Sequence, residues 1–252
     1  MSSAYFDNQL LHTPLAESNN HTILLFDASQ LQVDELTLTQ FLSPFELSVI
    51  ARRKTPQAKQ EYVATRLLLK YLVKSVLPSS SNITLDKISS EFNQQTSKLE
   101  LNINNNQVYS CCVSHSHGLV GVALNINNSL FGFDIEKISL KRPFEKLAKH
   151  FYDAAEVALI TKQPCTAAKA ATFFRLWTLK EALAKATSRP IAQLLSPNVF
   201  CELGNRQLSA TSTTLTNDVN EQFDISVVAK KSTDWRCSFI SLKALSSKLA
   251  FK

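Results

Sequence analysis

Gly132-Phe133-Asp134-Ile135-Glu136 is the stretch from which the fold is read outward. Alternate side chains of a strand share a face. Phe131, Phe133 and Ile135 therefore point toward a core, while Asp134 and Glu136 project together from the other side, roughly 7 Å apart along the strand. Like charges at that spacing repel, and a hard divalent ion that keeps several of its waters suits oxygen ligands on one face. Gly132 leaves the same face bare, so that a polyphosphate has room to approach the backbone. An edge strand whose acids face water or pair with lysines gives the same pattern. The rest of the chain divides these readings.

At 252 residues the chain is long enough to bury a substantial core, as one large domain or two ordinary ones. A hydrophobic content of 44% with 19% charged residues is that of a soluble globular protein. No apolar run approaches the roughly 20 residues of a membrane span, since Leu67-Leu68-Leu69 is already followed by Lys70. The start, Met1-Ser2-Ser3-Ala4-Tyr5-Phe6-Asp7, lacks the basic and apolar segments of a secretory signal. Five cysteines, with no CxxC pair, suggest neither a disulfide framework nor a zinc ribbon, and a reducing cytoplasm is the expected compartment. A net charge of +6 and a pI near 9.0 favour an anionic partner: a nucleic acid, a phosphorylated metabolite or an acidic protein.

Outward from the acidic strand, His21 to Asp27 reads as an opening strand. Ser43-Pro44-Phe45-Glu46 supplies a serine cap, a proline at the first helical position and a glutamate three residues on, predicting a helix to about Lys54. Thr55-Pro56 repeats the signal for a helix that ends before Pro78. That second helix is basic, with Lys59, Arg66, Lys70 and Lys74 close behind Arg52, Arg53 and Lys54, and Glu61 the only acid among them. The cluster is either a solvated face or a phosphate-binding surface. Strands are predicted near Ser90–Asn93, Lys98–Ile103, Val108–His117 and Val120–Ile126. Asn125-Ile126-Asn127-Asn128-Ser129 is placed as a link, giving an N-terminal half of 1–126 and a C-terminal half of 127–252. In the latter, Pro143 starts a helix with Phe144, Leu147, Ala148 and Phe151 on one face. Asp153 and Glu156 cap a helix toward Ile160, and Thr166 caps a long helix to about Thr187. Asn198–Glu202, Gln222–Lys230 and Trp235–Leu242 read as strands. Interspersed helices and short strands give an α+β class with mainly antiparallel sheets.

In the long helix, Leu176, Leu179, Leu183 and Ala186 form a buried stripe, and Trp177, Glu181 and Lys185 share a neighbouring face, with Lys180 beside Trp177. Over the acidic strand, that face would add Glu181 as a third carboxylate and bring Lys180 and Lys185 to a metal-bound phosphate. A plain amphipathic helix with a Glu181–Lys185 pair fits the spacing equally. Val113-Ser114-His115-Ser116-His117 places His115 and His117 on one face, either as ordinary strand residues or as ligands for zinc or manganese.

Taken in order, Val113-Ser114-His115-Ser116, Gly132-Phe133-Asp134-Ile135-Glu136 and Trp177-Thr178-Leu179-Lys180-Glu181-Ala182-Leu183-Ala184-Lys185 resemble the three signature blocks of the Sfp-type 4′-phosphopantetheinyl transferases. Ser43-Pro44 with its basic helix, and Phe151 with Glu156, resemble further family segments. The resemblance implies a pseudo-dimer of two similar α+β halves, each with a small mainly antiparallel sheet and a long helix, holding coenzyme A in the cleft between them. It implies transfer of the phosphopantetheine arm to a serine of an apo acyl or peptidyl carrier protein of acidic surface, as in holo-[acyl-carrier-protein] synthases, by a cytoplasmic monomer with neither nucleic acid nor membrane as partner. Mg²⁺ is the implied ion, held by Asp134, Glu136 and Glu181. Glu181, Lys185 and Lys180 are the implied catalytic groups. Ser114 and His115, with Arg52, Arg53, Lys59, Arg66 and Lys98, are the implied phosphate contacts, and Lys141, Arg142, Lys146 and Lys149 are candidates for the carrier-facing surface. Two segments depart from the family: Ser97-Lys98-Leu99 stands where a Gly-Lys-Pro turn is usual, and Ala186-Thr187-Ser188-Arg189-Pro190 replaces a Gly-rich continuation. Two other expectations arise from the residues alone: a metal-dependent phosphohydrolase built on His115 and His117 with the acids, and a basic nucleic-acid-binding module without a known docking motif.

Overall fold

The structure, a computed structural model, describes residues 22–76, 82–104, 107–125, 130–230 and 235–251. In chain order, β1 (Thr22–Asp27) is followed by α1 (Pro44–Ala51), α2 (Pro56–Val76), β2 (Ile88–Asn93), β3 (Lys98–Ile103), β4 (Gln107–Ser116), β5 (Leu119–Asn125) and β6 (Phe131–Lys137). Then come α3 (Phe144–Phe151), α4 (Ala154–Thr161), α5 (Thr166–Thr187), α6 (Ala192–Leu195), α7 (Val199–Asn205), β7 (Ser209–Thr216), β8 (Gln222–Ala229), β9 (Arg236–Phe239) and α8 (Leu242–Leu249). The α+β class is as expected. The elements divide into two compact units, one of residues 22–125 with 235–251 and the other of 130–230.

The first unit is a sheet in the order β2-β3-β4-β5-β1-β9 with α2 laid on one face. Its pairs are antiparallel except β1 with β9, which run parallel with Thr22 opposite Arg236. Val63, Leu67 and Leu68 of α2 meet Leu24, Phe26, Val120 and Val122, and Leu245 and Leu249 of α8 complete the same core. Ser43 caps α1 by the capping box read from the sequence, its Oγ accepting from Glu46 N–H while the Glu46 carboxylate accepts from Ser43 N–H. Thr55 Oγ1 likewise accepts from Ala58 N–H at the start of α2. Glu46 also accepts from Lys70 Nζ at 2.8 Å and from Ser90 N–H at 3.2 Å. Lys70, counted with the basic face of α2 from sequence, is therefore a buried tie between α1, α2 and β2.

The second unit is a three-stranded antiparallel sheet, β6-β8-β7, covered by α5. Phe173, Leu176, Leu179 and Leu183 of α5 pack with Phe144 and Ala148 of α3 and Ile160 of α4. Asp153 and Glu156 form the expected capping box on α4.

Several expectations change. His21, Ile126 to Ser129 of the link, and Pro78 lie outside the described residues. The half written as 127–252 loses its end: β9 and α8 join the first unit because Arg236 to Phe239 hydrogen-bond along β1. Asn198–Glu202 is helical, since Asn198 Oδ1 accepts from the N–H groups of Phe200 and Cys201 and so caps α7. Ser209–Thr216, outside the strands read from the sequence, is a strand, and Leu242–Leu249 is a helix capped by Ser241. Phe151 is exposed at the end of α3, and Tyr152 takes the buried place beside Phe173. Thr166 opens α5 from within, Cys165 standing at the cap position without a side-chain bond.

Candidate active site

α5 packs on both β6 and β8, and Gly132 sets how closely it approaches β6. A β-carbon there would stand 2.4 Å from Ala182 O, 2.5 Å from Ala186 N and 2.9 Å from Lys185 Cβ. Gly132 therefore admits a helix, where the sequence suggested room for a ligand. The helix meets it with the small residues Thr178, Ala182 and Ala186, four apart and buried. That stripe is the signal in the sequence that could have fixed which face of α5 meets the strand. Two residues along from Gly132 on the same strand face, Asp134 accepts from Lys185 Nζ at 2.8 Å.

Glu181 stands one turn before Lys185 on the partly exposed side of α5. Burial, then the charge of Asp134, push its carboxyl up to about 7; Glu136 adds to the rise and Lys185 opposes it. Asp134, Glu136 and Glu181 thus belong to one electrostatic cluster with Lys185 as its cation. Among the described residues no three or more His, Cys, Asp and Glu side chains converge tightly enough to hold an ion as they stand. The chemistry of the donor set nevertheless fits a hard divalent cation: three carboxylates on two elements, the two on the strand raising the proton affinity of Glu181, with no thiolate or imidazole among them.

Lys180 goes elsewhere. It is fully buried and pairs with Glu156 at 2.9 Å, and it also donates to the carbonyls of Leu194 at 3.0 Å and Pro197 at 2.7 Å, its ammonium lying over the Tyr152 ring. An ammonium has three hydrogens, and three acceptors meet them here. The expectation that Lys180 stands with Lys185 beside the acids is corrected: it fastens α5 to α4 and the 194–197 segment. Glu156, one of the family-like residues, is its partner and accepts from Val199 N–H at 2.8 Å.

A second network, not foreseen from the sequence, underlies α5. Asp224, opposite Glu136 in the β6–β8 register, accepts from Thr178 Oγ1 at 2.7 Å and from Arg175 Nε at 2.5 Å. Ser226, opposite Asp134, shares a hydrogen bond with Thr178 at 2.7 Å. A fourth carboxylate on this sheet face is thereby neutralised.

The expected phosphate contacts all fall in the first unit and are of unequal kind. Lys59 and Arg53 are exposed, the latter with its guanidinium 5.3 Å from the Tyr62 ring centroid. Arg52 is exposed and donates to Ser48 O at 3.2 Å at the end of α1. Arg66 is buried, 4.2 Å over the Tyr62 ring and 4.0 Å from Glu46. Lys98 begins β3, after Ser97 in the left-handed turn of the β2–β3 hairpin. Ser114 and His115 are adjacent in β4 and so project to opposite faces: Ser114 is buried, and His115 is half exposed against Glu61. His117 has left the strand for the β4–β5 turn, with φ of 50°. Of the carrier-surface candidates, Lys141, Lys146 and Lys149 are exposed, and Arg142 lies 4.9 Å over the Trp177 ring. Trp177 itself stacks on Phe173 as packing. Among the described residues no helix is long and apolar enough to cross a membrane.

This helix-on-strand cluster lies within residues 130–240, which match the family model of the 4′-phosphopantetheinyl transferase superfamily. Among curated proteins the chain is similar to the 4′-phosphopantetheinyl transferase HetI of Nostoc sp. (strain PCC 7120 / SAG 25.82 / UTEX 2576), with 28% identity over 194 residues, spanning 73% of this chain and 78% of HetI.

Proposed function

We propose that the protein moves the phosphopantetheine arm of coenzyme A onto a serine of an apo acyl or peptidyl carrier protein. The observation that carries this reading is the electrostatic coupling of Glu181 to Asp134 and Glu136, with Lys185 bound to Asp134, inside the family-matched segment. Asp134, Glu136 and Glu181 are the residues that would hold Mg²⁺, which when bound polarises a diphosphate toward attack and lowers its charge. Glu181, with a carboxyl near 7, is matched to taking the proton of the incoming serine at neutral pH. The serine oxygen then forms a bond to the phosphorus nearer the arm, the bridging P–O bond breaks, and adenosine 3′,5′-bisphosphate leaves with negative charge that Lys185 offsets. His115, Arg52, Arg53 and Lys59 are the groups best exposed to grip phosphate, with Arg66, Lys98 and Ser114 less exposed. The same proposal includes a cytoplasmic monomer, its units paired as a pseudo-dimer, and a carrier of acidic surface drawn to this cationic chain. Neither the paired histidines nor the basic helix gains an observation that favours hydrolysis or nucleic-acid binding.

The test is transfer itself. With coenzyme A and Mg²⁺, an apo carrier should gain the mass of one arm. Asp134→Ala and Glu181→Ala should each reduce the rate by about 10²-fold or more while circular dichroism stays unchanged. Full activity in either variant would overturn the site, and no mass gain on any of several carriers would overturn the function.

A further inference from the structure

The small-residue stripe that seats α5 on β6 carries one hydroxyl. Ala182 and Ala186 lie over Gly132, and methyl groups against a glycine allow close approach without marking any position along the helix axis. Packed helices slide by small shear where nothing directional holds them. Thr178, one turn earlier and fully buried, supplies direction: its Oγ1 stands 2.7 Å from Asp224 Oδ1, 2.7 Å from Ser226 Oγ and 3.1 Å from Arg175 O.

Counting hydrogens orders these contacts. Burial pushes the Asp224 carboxyl up and Arg175 opposes the rise; with the guanidinium Nε 2.5 Å away, the carboxylate is the charged acceptor. The single hydrogen of Thr178 Oγ1 goes to that charged oxygen rather than to the more distant Arg175 carbonyl. Thr178 Oγ1 then accepts from Ser226, whose alternative, Asp224 itself, is 3.4 Å away. Ser226 Oγ in turn accepts from Ser212 Oγ at 2.8 Å. Hydroxyls of β7, β8 and α5 thus point one after another at one carboxylate. The register beside them gives this a consequence. Ser226 lies opposite Asp134 and Asp224 opposite Glu136, on the sheet face that α5 covers, with directly opposed β-carbons about 5 Å apart. Glu181 and Lys185 follow Thr178 by three and seven residues, about 4.5 and 10.5 Å along one side of the helix. Lys180 ties the opposite side to α4, not to the sheet that holds the acids.

We propose that Thr178 is a positioning residue: bonded to Asp224 and Ser226, it fixes where α5 rests along the sheet and so keeps Glu181 and Lys185 in line with Asp134 and Glu136. This rests on the reading of the three acids as the ion-holding group. The test uses the full chain without coenzyme A, titrated with Mn²⁺ alone and followed by electron paramagnetic resonance, beside transfer to an apo carrier. Thr178→Val keeps the shape of the side chain and loses the hydroxyl. It should bind Mn²⁺ about tenfold more weakly and transfer about tenfold more slowly or worse. Thr178→Ser, which keeps the hydroxyl and gives up a methyl, should retain both while melting lower. Ile160→Val, a truncation of the buried core in α4, should also melt lower with both unchanged. Ser226→Ala leaves Asp224 its bonds from Thr178 and Arg175 and should show a smaller loss of the same kind. Native Mn²⁺ affinity and rate in Thr178→Val, or in Ser226→Ala if the valine variant does not fold, would overturn the proposal. Losses that follow melting temperature alone, in Thr178→Ser and Ile160→Val as well, would overturn it too. An unmodified protein that binds no Mn²⁺ would overturn the reading of the acids, and this proposal with it.

Discussion

Glu181 and Lys185 show how one turn of helix sets charge. The Glu181 carboxyl rises from 4.5 to about 7 through burial first and the two strand acids second. A carboxyl whose folded value is raised binds a proton more tightly when folded. Its contribution to stability is thus fully present below its unfolded value and is lost as pH climbs through about 7. Glu181→Gln, in chelator so that no divalent ion compensates, should therefore melt higher than the unmodified protein at pH 8 and close to it at pH 4.5. Discounting for partial exposure, the gain at pH 8 should be about 2–4 °C, the response of a chain of this size to ~1 kcal/mol. Equal melting of the two proteins at pH 8 would contradict the coupling. The sequence made Asp134, Glu136, Glu181 and Lys185 legible as chemistry, because two acids that alternate with large apolar residues must share one strand face and repel until a cation joins them. It could not separate Lys185 from Lys180, because five residues along a helix is a rotation of about 140° and only the packing face decides which amine reaches the strand. Glu61 was hidden for a related reason: a lone acid among lysines and arginines reads as surface until β4 is placed beside it.

At the scale of elements, the site depends on how deeply α5 settles on β6. Gly132→Ala should force the two apart, since its new methyl would meet backbone at 2.4 and 2.5 Å and backbone does not rotate away. The expected loss is about 2–4 kcal/mol in urea unfolding, together with loss of carrier modification, because Glu181 and Lys185 move with the helix. An alanine variant of native stability would show that the helix has room to spare. Element starts were well marked in the sequence: the boxes at Ser43 and Asp153 depend on a few local atoms, so local residues reveal them. β7 was not marked, because its Ser-Ala-Thr-Ser-Thr-Thr run offers hydroxyls and few large apolar side chains. What makes it a strand is its antiparallel pairing with β8 across the short 217–221 connection and the hydrogen bond shared by Ser212 and Ser226. α8 was missed because it follows β9 after only two residues, so that Trp235 to Leu242, with apolar and polar side chains interspersed, reads as one strand.

At the scale of the whole molecule, the first unit is discontinuous. Ile240, Leu245 and Leu249, from the last stretch of chain, sit in the same core as Leu24 and Leu67, and β9 supplies the hydrogen bonds along one side of β1. A chain ending at residue 234 should thus lose amide-exchange protection in β1 and α2 while keeping it in β6, β8 and α5. Uniform loss, or none, would contradict the division. β5 ends and β9 begins at the same end of β1, two strand spacings apart, about 10 Å. On the ribosome, every strand of the β6-β8-β7 sheet is therefore made before the partner that completes the sheet begun about two hundred residues earlier. The segment carrying the acids has the opportunity to mature first, while the histidine-bearing sheet waits, with an open edge, for the final residues to emerge.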